Sequence, residues 1–177
     1  MESRKNPRKG KRPSENPLPP IIETAVEYHI TDGEDFMDEI FRKDLEISWG
    51  FVRARISREE YVEAYWTVVN ELLSHGEHKF FVALDPYNRY LGHVWVCITE
   101  DTVDFIPVAY IYDIETVEEA RGWGIGSELL KKAEEWAKER GALKVLLRVD
   151  IDNPAVGWYK RRGYTERAVI MEKPLPG

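Results

Sequence analysis

The chain has 177 residues, of which 43% are hydrophobic and 32% are charged, and its formal net charge is −7 at pH 7. This length and composition are typical of one globular domain with its own core. The sequence contains no apolar run of the ~18–20 residues that a membrane-spanning helix needs, and no apolar stretch follows the basic N-terminus as it would in a secretory signal. We therefore expect a cytoplasmic protein with no membrane anchor.

Positive charge is concentrated at the N-terminus. Residues 1–20 contain six Lys or Arg, two Glu and almost no large apolar residue, which is typical of a disordered tail. Residues 21–177 are predicted to form a single, strongly acidic domain. Its charge disfavours nucleic-acid binding and suits a cationic substrate such as an amine. Weak RNA binding by the tail remains an alternative.

Cysteine and histidine are too sparse to predict a metal centre. The single cysteine, Cys97, lies in an apolar run and excludes an intrachain disulfide, which suits a reducing cytosol. The four histidines, His29, His75, His78 and His93, do not show the spacing of a zinc cluster. We therefore expect no metal.

The first half of the domain is predicted to contain strands around two helices. The segment Ile21–Ile30 has strand character, and Ser57 three residues before Glu60 forms a capping box that begins a helix. The strands that follow are joined by the turn Asp85–Arg89, which predicts a hairpin. The predicted elements are the strand 21–30, the helices 35–49 and 58–74, and the strands 79–84 and 90–99.

The second half alternates strands and helices. The helix 126–140 has an apolar stripe at helical spacing. Because this helix lies between the strands 108–117 and 143–149, these strands should run parallel through a right-handed crossover. The remaining elements are a short helix, 153–161, and a last strand, Tyr164–Met171. The order β-α-α-β-β-β-α-β-α-β predicts an α/β fold with helices on both faces of the sheet.

A glycine-rich stretch, Arg121–Ser127, joins the strand 108–117 to the helix after it. Glycine permits positive φ and close approach of a ligand to the backbone. The first N–H groups of a helix lack intrahelical partners and favour negative charge, and Arg121 adds a planar cation. The stretch has neither the Walker ending nor the third glycine of the dinucleotide fingerprint. We expect an anion site here; a plain glycine-rich connection is the alternative.

Two motifs carry a family resemblance. Arg121, Gly124 and Gly126 form an R-x-x-G-x-G pattern that resembles the pyrophosphate loop of the GNAT superfamily of acetyl-CoA-dependent N-acetyltransferases. The stretch 152–164 resembles a later motif of the same family, in which Tyr159 is a landmark. Either Asn153 or Asp152 occupies the first position of that motif.

The resemblance implies a GNAT-like mixed sheet with a V-shaped splay between the two central parallel strands just before residue 117. Acetyl-CoA is implied to occupy the gap, with its pantetheine arm on strand backbone and its diphosphate on the amides of the glycine-rich stretch. The implied cofactor contacts are Ile114, Glu115, Thr116, Arg121, Gly122, Trp123, Gly124, Ile125, Gly126, Ser127 and Asn153.

Acetyl transfer to an amine requires a neutral nucleophile held in line with the thioester. Asp113 and Glu115 are two residues apart on one strand, so they face the same side with Cα atoms ~6.5–7 Å apart. Either carboxylate could take the proton or hold a cation, and Glu115 is preferred because it lies nearer the glycine-rich stretch. Simple solvation or ion pairing is the alternative. The resemblance implies that Tyr159 protonates the thiolate of CoA and that a backbone N–H near Ile114–Thr116 holds the oxyanion.

The sequence therefore predicts an N-acetyltransferase that moves an acetyl group from acetyl-CoA to a primary amine. The amine could belong to a small molecule, a polyamine or a protein. The alternative is a non-catalytic acetyl-CoA-binding sensor or interaction domain of the same fold. Dimerisation is common in the family, so a homodimer is possible.

Overall fold

The computed structural model describes residues 17–175, so most of the predicted N-terminal tail lies outside the described part of the chain. The helices and strands alternate along these residues, with two short 3₁₀ turns at Glu34–Phe36 and Glu118–Ala120. The helices are α1 (Ile21–Thr24), α2 (Met37–Val52), α3 (Arg58–Leu73), α4 (Ile125–Glu139) and α5 (Ala155–Lys160). The strands are β1 (His29–Asp32), β2 (Glu77–Leu84), β3 (Tyr90–Glu100), β4 (Pro107–Thr116) and β5 (Val145–Leu147).

The five strands form one sheet in the order β1-β2-β3-β4-β5. The first four strands pair antiparallel with their neighbours, and β5 pairs parallel to β4. The parallel pair is joined through α4, as the crossover argument predicts. The β2–β3 hairpin closes through the turn after Leu84, which confirms the predicted hairpin. The fold is therefore a mixed α/β sheet.

Two hydrophobic cores cover the two faces of the sheet. The first core packs α4 and α5 against one face, with Leu129, Ala133 and Tyr159 among its buried residues. The second core packs α2 and α3 against the other face, with Ile40 and Val69 among its members. This arrangement confirms the prediction of helices on both faces. None of the helices in residues 17–175 combines the length and apolar character needed to cross a bilayer.

The capping box at the start of α3 forms as predicted. The Ser57 hydroxyl accepts a hydrogen bond from the backbone N–H of Glu60, and the Glu60 carboxylate accepts one from the backbone N–H of Ser57. Two N–H groups that the helix cannot pair internally are thereby satisfied. The start of this helix was therefore predictable from four residues.

The prediction of a strand over Ile21–Ile30 is wrong for its first half. Ile21–Thr24 forms a helical turn, and the strand is restricted to His29–Asp32. The turn is held by the Thr24 hydroxyl, which donates to the fully buried Asp85 carboxylate at 2.8 Å. Asp85 also forms an ion pair with Arg89. This side-chain network lies in the β2–β3 turn, far away in sequence, so local β propensity could not report it.

The prediction of a last strand over Tyr164–Met171 is wrong, because these residues pair with no strand of the described sheet. Its apolar residues Val169, Ile170 and Met171 are consecutive and exposed, so they do not build one buried face. The neighbouring strand β5 is only three residues long and offers little edge for pairing. Strand β5 therefore lies at the edge of the sheet within residues 17–175, and not at its centre as predicted.

Candidate active site

Strands β4 and β5 separate well before β4 ends. Their parallel pairing extends from Ala109–Val145 to Ile111–Leu147 and then stops, whereas β4 continues to Thr116. The separation of the strands, which was predicted just before residue 117, thus begins earlier, directly after Ile111. From Tyr112 onward, the side of β4 that faced β5 has no strand partner among the described residues.

The ladder with β3 identifies which backbone groups face this open side. The N–H of Val117 donates to the carbonyl of Leu91. Backbone groups of alternate residues point to opposite sides of a strand, so the N–H and C=O of Glu115 also face β3. Those of Ile114 and Thr116 therefore face the open side of β4. An extended ligand with amide groups can pair with them there.

The glycine-rich stretch forms a tight turn into α4. Gly122 has φ +86° and Gly124, the residue before the first helical turn, has φ +84°. This left-handed region is costly for a residue with a side chain. No side chain caps the helix. The sequence therefore uses glycine where the backbone must turn sharply and remain accessible.

The N-terminus of α4 presents a row of free donors. Within the part of the chain that the structure describes, the backbone N–H groups of residues 122–127 donate to no protein acceptor. They border a cleft of about 440 Å³. The cleft is lined by Thr116, Ala120, Arg121, Gly122, Gly124, Ile125, Gly126, Ser127, Trp158 and Arg162. Free amides and the helix dipole suit a negatively charged group such as a diphosphate.

Two residues of the cleft were not predicted from the sequence. Arg162 stacks over the Trp158 ring with its Cζ atom 3.8 Å from the ring centroid, and its guanidinium donates to the Ser127 hydroxyl. Stacking fixes the guanidinium beside the free amides and adds a second cation to Arg121. Arg162 lies two residues beyond the end of α5 and four residues after Trp158, and this spacing of an aromatic residue and an arginine was the available signal.

An extra residue in β4 decides where the two predicted carboxylates point. Ile111 and Asp113 pair with consecutive residues of β3, so Tyr112 has no counterpart there. Ile111 and Ile114 both pack in the first core, under α4. Without the bulge, alternation from Ile111 would place Asp113 in that core as well. The bulge turns Asp113 and Glu115 to the other face, toward α2 and α3.

His93 on β3 lies against both carboxylates. Its Nε2 atom is 2.9 Å from Asp113 Oδ2, and its Nδ1 atom is 3.7 Å from Glu115 Oε1. The contact with Asp113 lacks hydrogen-bond direction and the contact with Glu115 is too long, so both carboxylate oxygens are buried without a hydrogen-bond partner. His93 itself is 1% exposed, and its Nδ1 atom is 2.5 Å from the Tyr90 hydroxyl. The spacing of the histidines along the chain could not predict this grouping, because the carboxylates beside His93 lie on the next strand.

A third carboxylate reaches the cluster from α2. Asp44 is buried, and it accepts hydrogen bonds from the Tyr65 hydroxyl at 2.7 Å and from the Ser48 hydroxyl at 2.9 Å. It is close enough to Asp113 for the two charges to interact. We name Asp44, Asp113, Glu115 and His93 the acidic cluster.

Burial and the charge of Asp113 raise the pKa values of two carboxyl groups in the acidic cluster, Glu115 and Asp44. Burial, followed by the charge of Asp113, raises the pKa of Glu115 to about 9. The same two causes raise the pKa of Asp44, although hydrogen bonds from Tyr65 and Ser48 oppose the rise. Perturbed carboxyl groups of this kind are common where proton transfer occurs.

The acidic cluster also contains the donor types of a metal site. One ligand atom from each of His93, Asp113 and Glu115 lies within 4.8 Å of the other two. Imidazole and carboxylate ligands suit divalent transition metals. No metal was expected from the sequence, because His93 is far from Asp113 and Glu115 along the chain. The same atoms can also accept a proton or bind an ammonium group.

The two remaining predicted residues lie in α5 and just before it. Tyr159 is buried in the first core at 8% exposure. Burial, followed by the charge of Asp113, raises its pKa, so its hydroxyl lies within range of the acidic cluster. Asn153 is exposed, and its Oδ1 atom accepts a hydrogen bond from the backbone N–H of Ala155. Asn153 does not line the cleft, and neither does Trp123.

The comparison with protein families agrees with these features. The model of the acetyltransferase (GNAT) family matches residues 35–164, which is more than half of the chain. The chain belongs to the GNAT family. Its fold and its two sequence motifs are thereby assigned to a family of N-acetyltransferases, which generally use acetyl-CoA.

Several GNAT relatives resemble this chain over much of its length. A solved structure, a putative acetyl transferase from Pyrococcus furiosus, is 64% identical, has a TM-score of 0.82 and covers 84% of this chain and 100% of its own. An uncharacterised N-acetyltransferase from Methanocaldococcus jannaschii is 30% identical over 154 residues, which are 85% of this chain and 65% of the relative. A mycothiol acetyltransferase from Arthrobacter sp. is 32% identical over 100 residues, 55% of this chain. The chain spans only 31% of that last relative.

The raised pKa of Glu115 predicts a stability that falls with pH. The unfolded carboxyl of Glu115 ionises near its ordinary pKa of 4.5, whereas in the folded protein its pKa is about 9. Stability contributed by this group is therefore complete at low pH and is lost as pH rises between these values. We measure the free energy of unfolding in guanidinium titrations. We expect Glu115→Gln and the parent to have the same free energy of unfolding near pH 4.5, whereas at pH 9 that of Glu115→Gln should be higher by roughly 1–3 kcal/mol. Equal pH dependence in both proteins would contradict the buried, protonated state.

Proposed function

We propose that the protein transfers an acetyl group from acetyl-CoA to a primary amine. The single observation that carries the proposal is the continuity of two unsatisfied backbone surfaces. The open side of β4 leads toward the free amides of residues 122–127, and Asp113 and Glu115 of the acidic cluster lie on the same strand. A thioester cofactor with amides along its arm and a diphosphate at its end fits both surfaces.

Successive residues along the cleft match successive parts of the cofactor. The amides of residues 122–127 and the side chain of Arg121 receive the diphosphate, and Arg162 adds a second positive charge at the same place. The backbone groups of Ile114 and Thr116 pair with the amides of the pantetheine arm. Asn153 has only its side-chain NH₂ left to donate, since its Oδ1 atom already caps α5.

When bound, acetyl-CoA supplies a thioester carbonyl carbon that an amine can attack. Glu115 is the preferred base because its raised pKa lets it hold a proton near the working pH. The amine nitrogen forms the new N–C bond, its proton passes to Glu115, and the C–S bond breaks. Asp113 is the second carboxylate of the site. Tyr159 donates its hydroxyl proton to the leaving sulfur, and a backbone N–H near Ile114–Thr116 holds the developing oxyanion.

The expected location is cytoplasmic, since neither a free cysteine thiol nor a thioester needs an oxidising compartment. The basic tail is not required for the proposed chemistry, because every residue assigned a role lies between Asp113 and Arg162. A non-catalytic acetyl-CoA-binding domain would share the cofactor cleft. It would not need the acidic cluster, which therefore favours the enzyme.

The test of this function is release of free CoA thiol from acetyl-CoA in the presence of a panel of primary amines. We expect amine-dependent thiol release, and kcat/KM that rises with pH up to about 9, because Glu115 must lose its proton before it can accept another. Glu115→Gln should lower kcat/KM about 100-fold at the upper end of this range.

The ammonium group of the acceptor titrates in both proteins, so only the difference between their pH profiles reports Glu115. Cofactor binding without thiol release, for every amine tested, would contradict the enzymatic function and leave the binding domain.

Tyr159 is expected to contribute modestly, because a thiolate is already a fair leaving group. We predict that Tyr159→Phe lowers kcat by about tenfold with little change in the KM for acetyl-CoA. Tyr164→Phe is the matched control, since Tyr164 packs on Tyr159 but donates its hydroxyl to Glu134. If Tyr159→Phe and Tyr164→Phe have equal kcat, the proposed role of Tyr159 is wrong.

Gly124 is expected to be essential for cofactor binding. A methyl group at φ +84° costs about 1 kcal/mol and distorts the turn that exposes the amides. We predict that Gly124→Ala raises the KM for acetyl-CoA by about tenfold or more. Gly141→Ala is the control, because Gly141 has φ +81° at the opposite end of α4 and open space around it. It should lose similar stability and keep the parent KM; equal KM values for both variants would contradict the assignment.

A further inference from the structure

Within residues 17–175, the acidic cluster brings three carboxyl groups together with no lysine or arginine paired to them. Asp44 from α2 and Asp113 and Glu115 from β4 converge on His93. Among residues 17–175, none of these three carboxyl groups forms an ion pair with a lysine or an arginine. Buried carboxylates without a cationic partner are strongly unfavourable. A partner from outside the protein would relieve this cost.

In the part of the chain that the structure describes, the cationic side chains that act on Glu115 are already placed elsewhere. Lys43 lies over the ring of Tyr90, with its Nζ atom 5.9 Å from the centroid. Arg121 lines the cleft at the start of α4, where it faces the proposed diphosphate. Both are near enough to lower the pKa of Glu115, but burial and Asp113 outweigh them. Among the described residues, His93 is thus the only group in contact with Asp113 and Glu115 that can carry a positive charge.

The proposed reaction leaves this excess in place. The attacking nitrogen must be neutral, so it cannot act as the counter-ion. Its proton neutralises Glu115. Even if His93 is protonated, the charges of Asp44 and Asp113 leave one carboxylate unbalanced. A substrate with only one amine therefore gives the site no lasting cation.

We propose, on the basis of the proposed acetyl transfer, that the acceptor carries a second protonated nitrogen and is a diamine or polyamine. Asp113 contacts this second ammonium group through the accessible part of its carboxylate, because its side chain is 27% exposed although its Oδ2 atom is buried beside His93 Nε2. Asp44 adds its charge from behind, held in place by Tyr65 and Ser48.

The spacing of the strand suits a short carbon chain between the two nitrogens. Residues 113 and 115 face the same side with Cα atoms ~6.5–7 Å apart. One nitrogen at Glu115 and another at Asp113 are therefore separated by a few carbon atoms. A peptide N-terminus followed by uncharged residues offers no second cation at this distance, so it is disfavoured as an acceptor.

The experiment compares putrescine with n-butylamine, which has the same carbon chain and one nitrogen fewer. Thiol release from acetyl-CoA is measured with each amine, and spermidine extends the series. We expect kcat/KM for putrescine to exceed that for n-butylamine by about 30-fold or more, the size expected when a charge-assisted hydrogen bond is added. The value of kcat/KM for a peptide with a single amine should be close to that for n-butylamine.

The ratio of the two kcat/KM values is then measured in variants. Asp113→Asn should reduce the ratio to about fivefold or less, and Asp44→Asn should reduce it less strongly. Asp38→Asn is the matched control, because Asp38 lies on the same helix as Asp44 but is exposed. It removes one surface charge and should keep the parent ratio.

A second measurement does not depend on any variant. Tetramethylputrescine has two tertiary nitrogens that cannot form a stable amide, and it should inhibit competitively against putrescine. Tetramethylammonium, with one permanent charge, should inhibit at least about tenfold more weakly.

The outcomes separate the two proposals. Thiol release with equal kcat/KM for putrescine and n-butylamine, or equal loss of the ratio in Asp113→Asn and Asp38→Asn, overturns the second-ammonium site and leaves the acetyltransferase. Absence of thiol release with every amine, while acetyl-CoA still binds, overturns both.

Discussion

Strand β4 keeps its antiparallel partner to Thr116 but loses its parallel partner after Ile111, and the whole site depends on this one-sided pairing. A strand paired on both sides has no free backbone groups, and a strand paired on neither side has no fixed position. Strand β4 is rigid because β3 holds it, and it is receptive because β5 has turned away. Everything proposed for the cofactor uses that combination.

The acidic cluster also depends on how the strands pair, and not only on which residues they contain. Three of its members lie on β3 and β4, where the register decides which side chains meet. Their burial against α2 and α3 raises the pKa of Glu115 and Asp44. The fold thus holds proton-accepting groups at a cost in stability, as functional sites often do. The hydrophobic cores on both faces of the sheet offset this loss of stability.

Local signals in the sequence predicted the parts of the molecule that local physics determines. The capping box fixed the start of α3, the apolar stripe identified α4, and the glycines marked the turn before it. Residues 21–24 and 164–171 were assigned wrongly because their structure depends on distant partners: the Asp85 network for the first and the short β5 edge for the second.

The candidate site was predictable to the same extent. The amides of residues 122–127 followed from a contiguous motif, whereas His93, Asp44 and Arg162 belong to separate elements that meet only in three dimensions. The GNAT motifs gave the cofactor side of the site. No motif covered the acceptor side, since its residues come from α2, β3 and β4.

The unpaired residue Tyr112 makes the length of β4 as important as its composition. If Tyr112 were paired like its neighbours, plain alternation from Ile111 would turn both carboxylates beneath α4 into the apolar core. Insertions and deletions in this strand are therefore expected to be far rarer among descendants of this gene than in the exposed loop of residues 101–106. The bulge at Tyr112 therefore determines whether the two carboxylates lie on the face of α2 and α3 or in the core under α4.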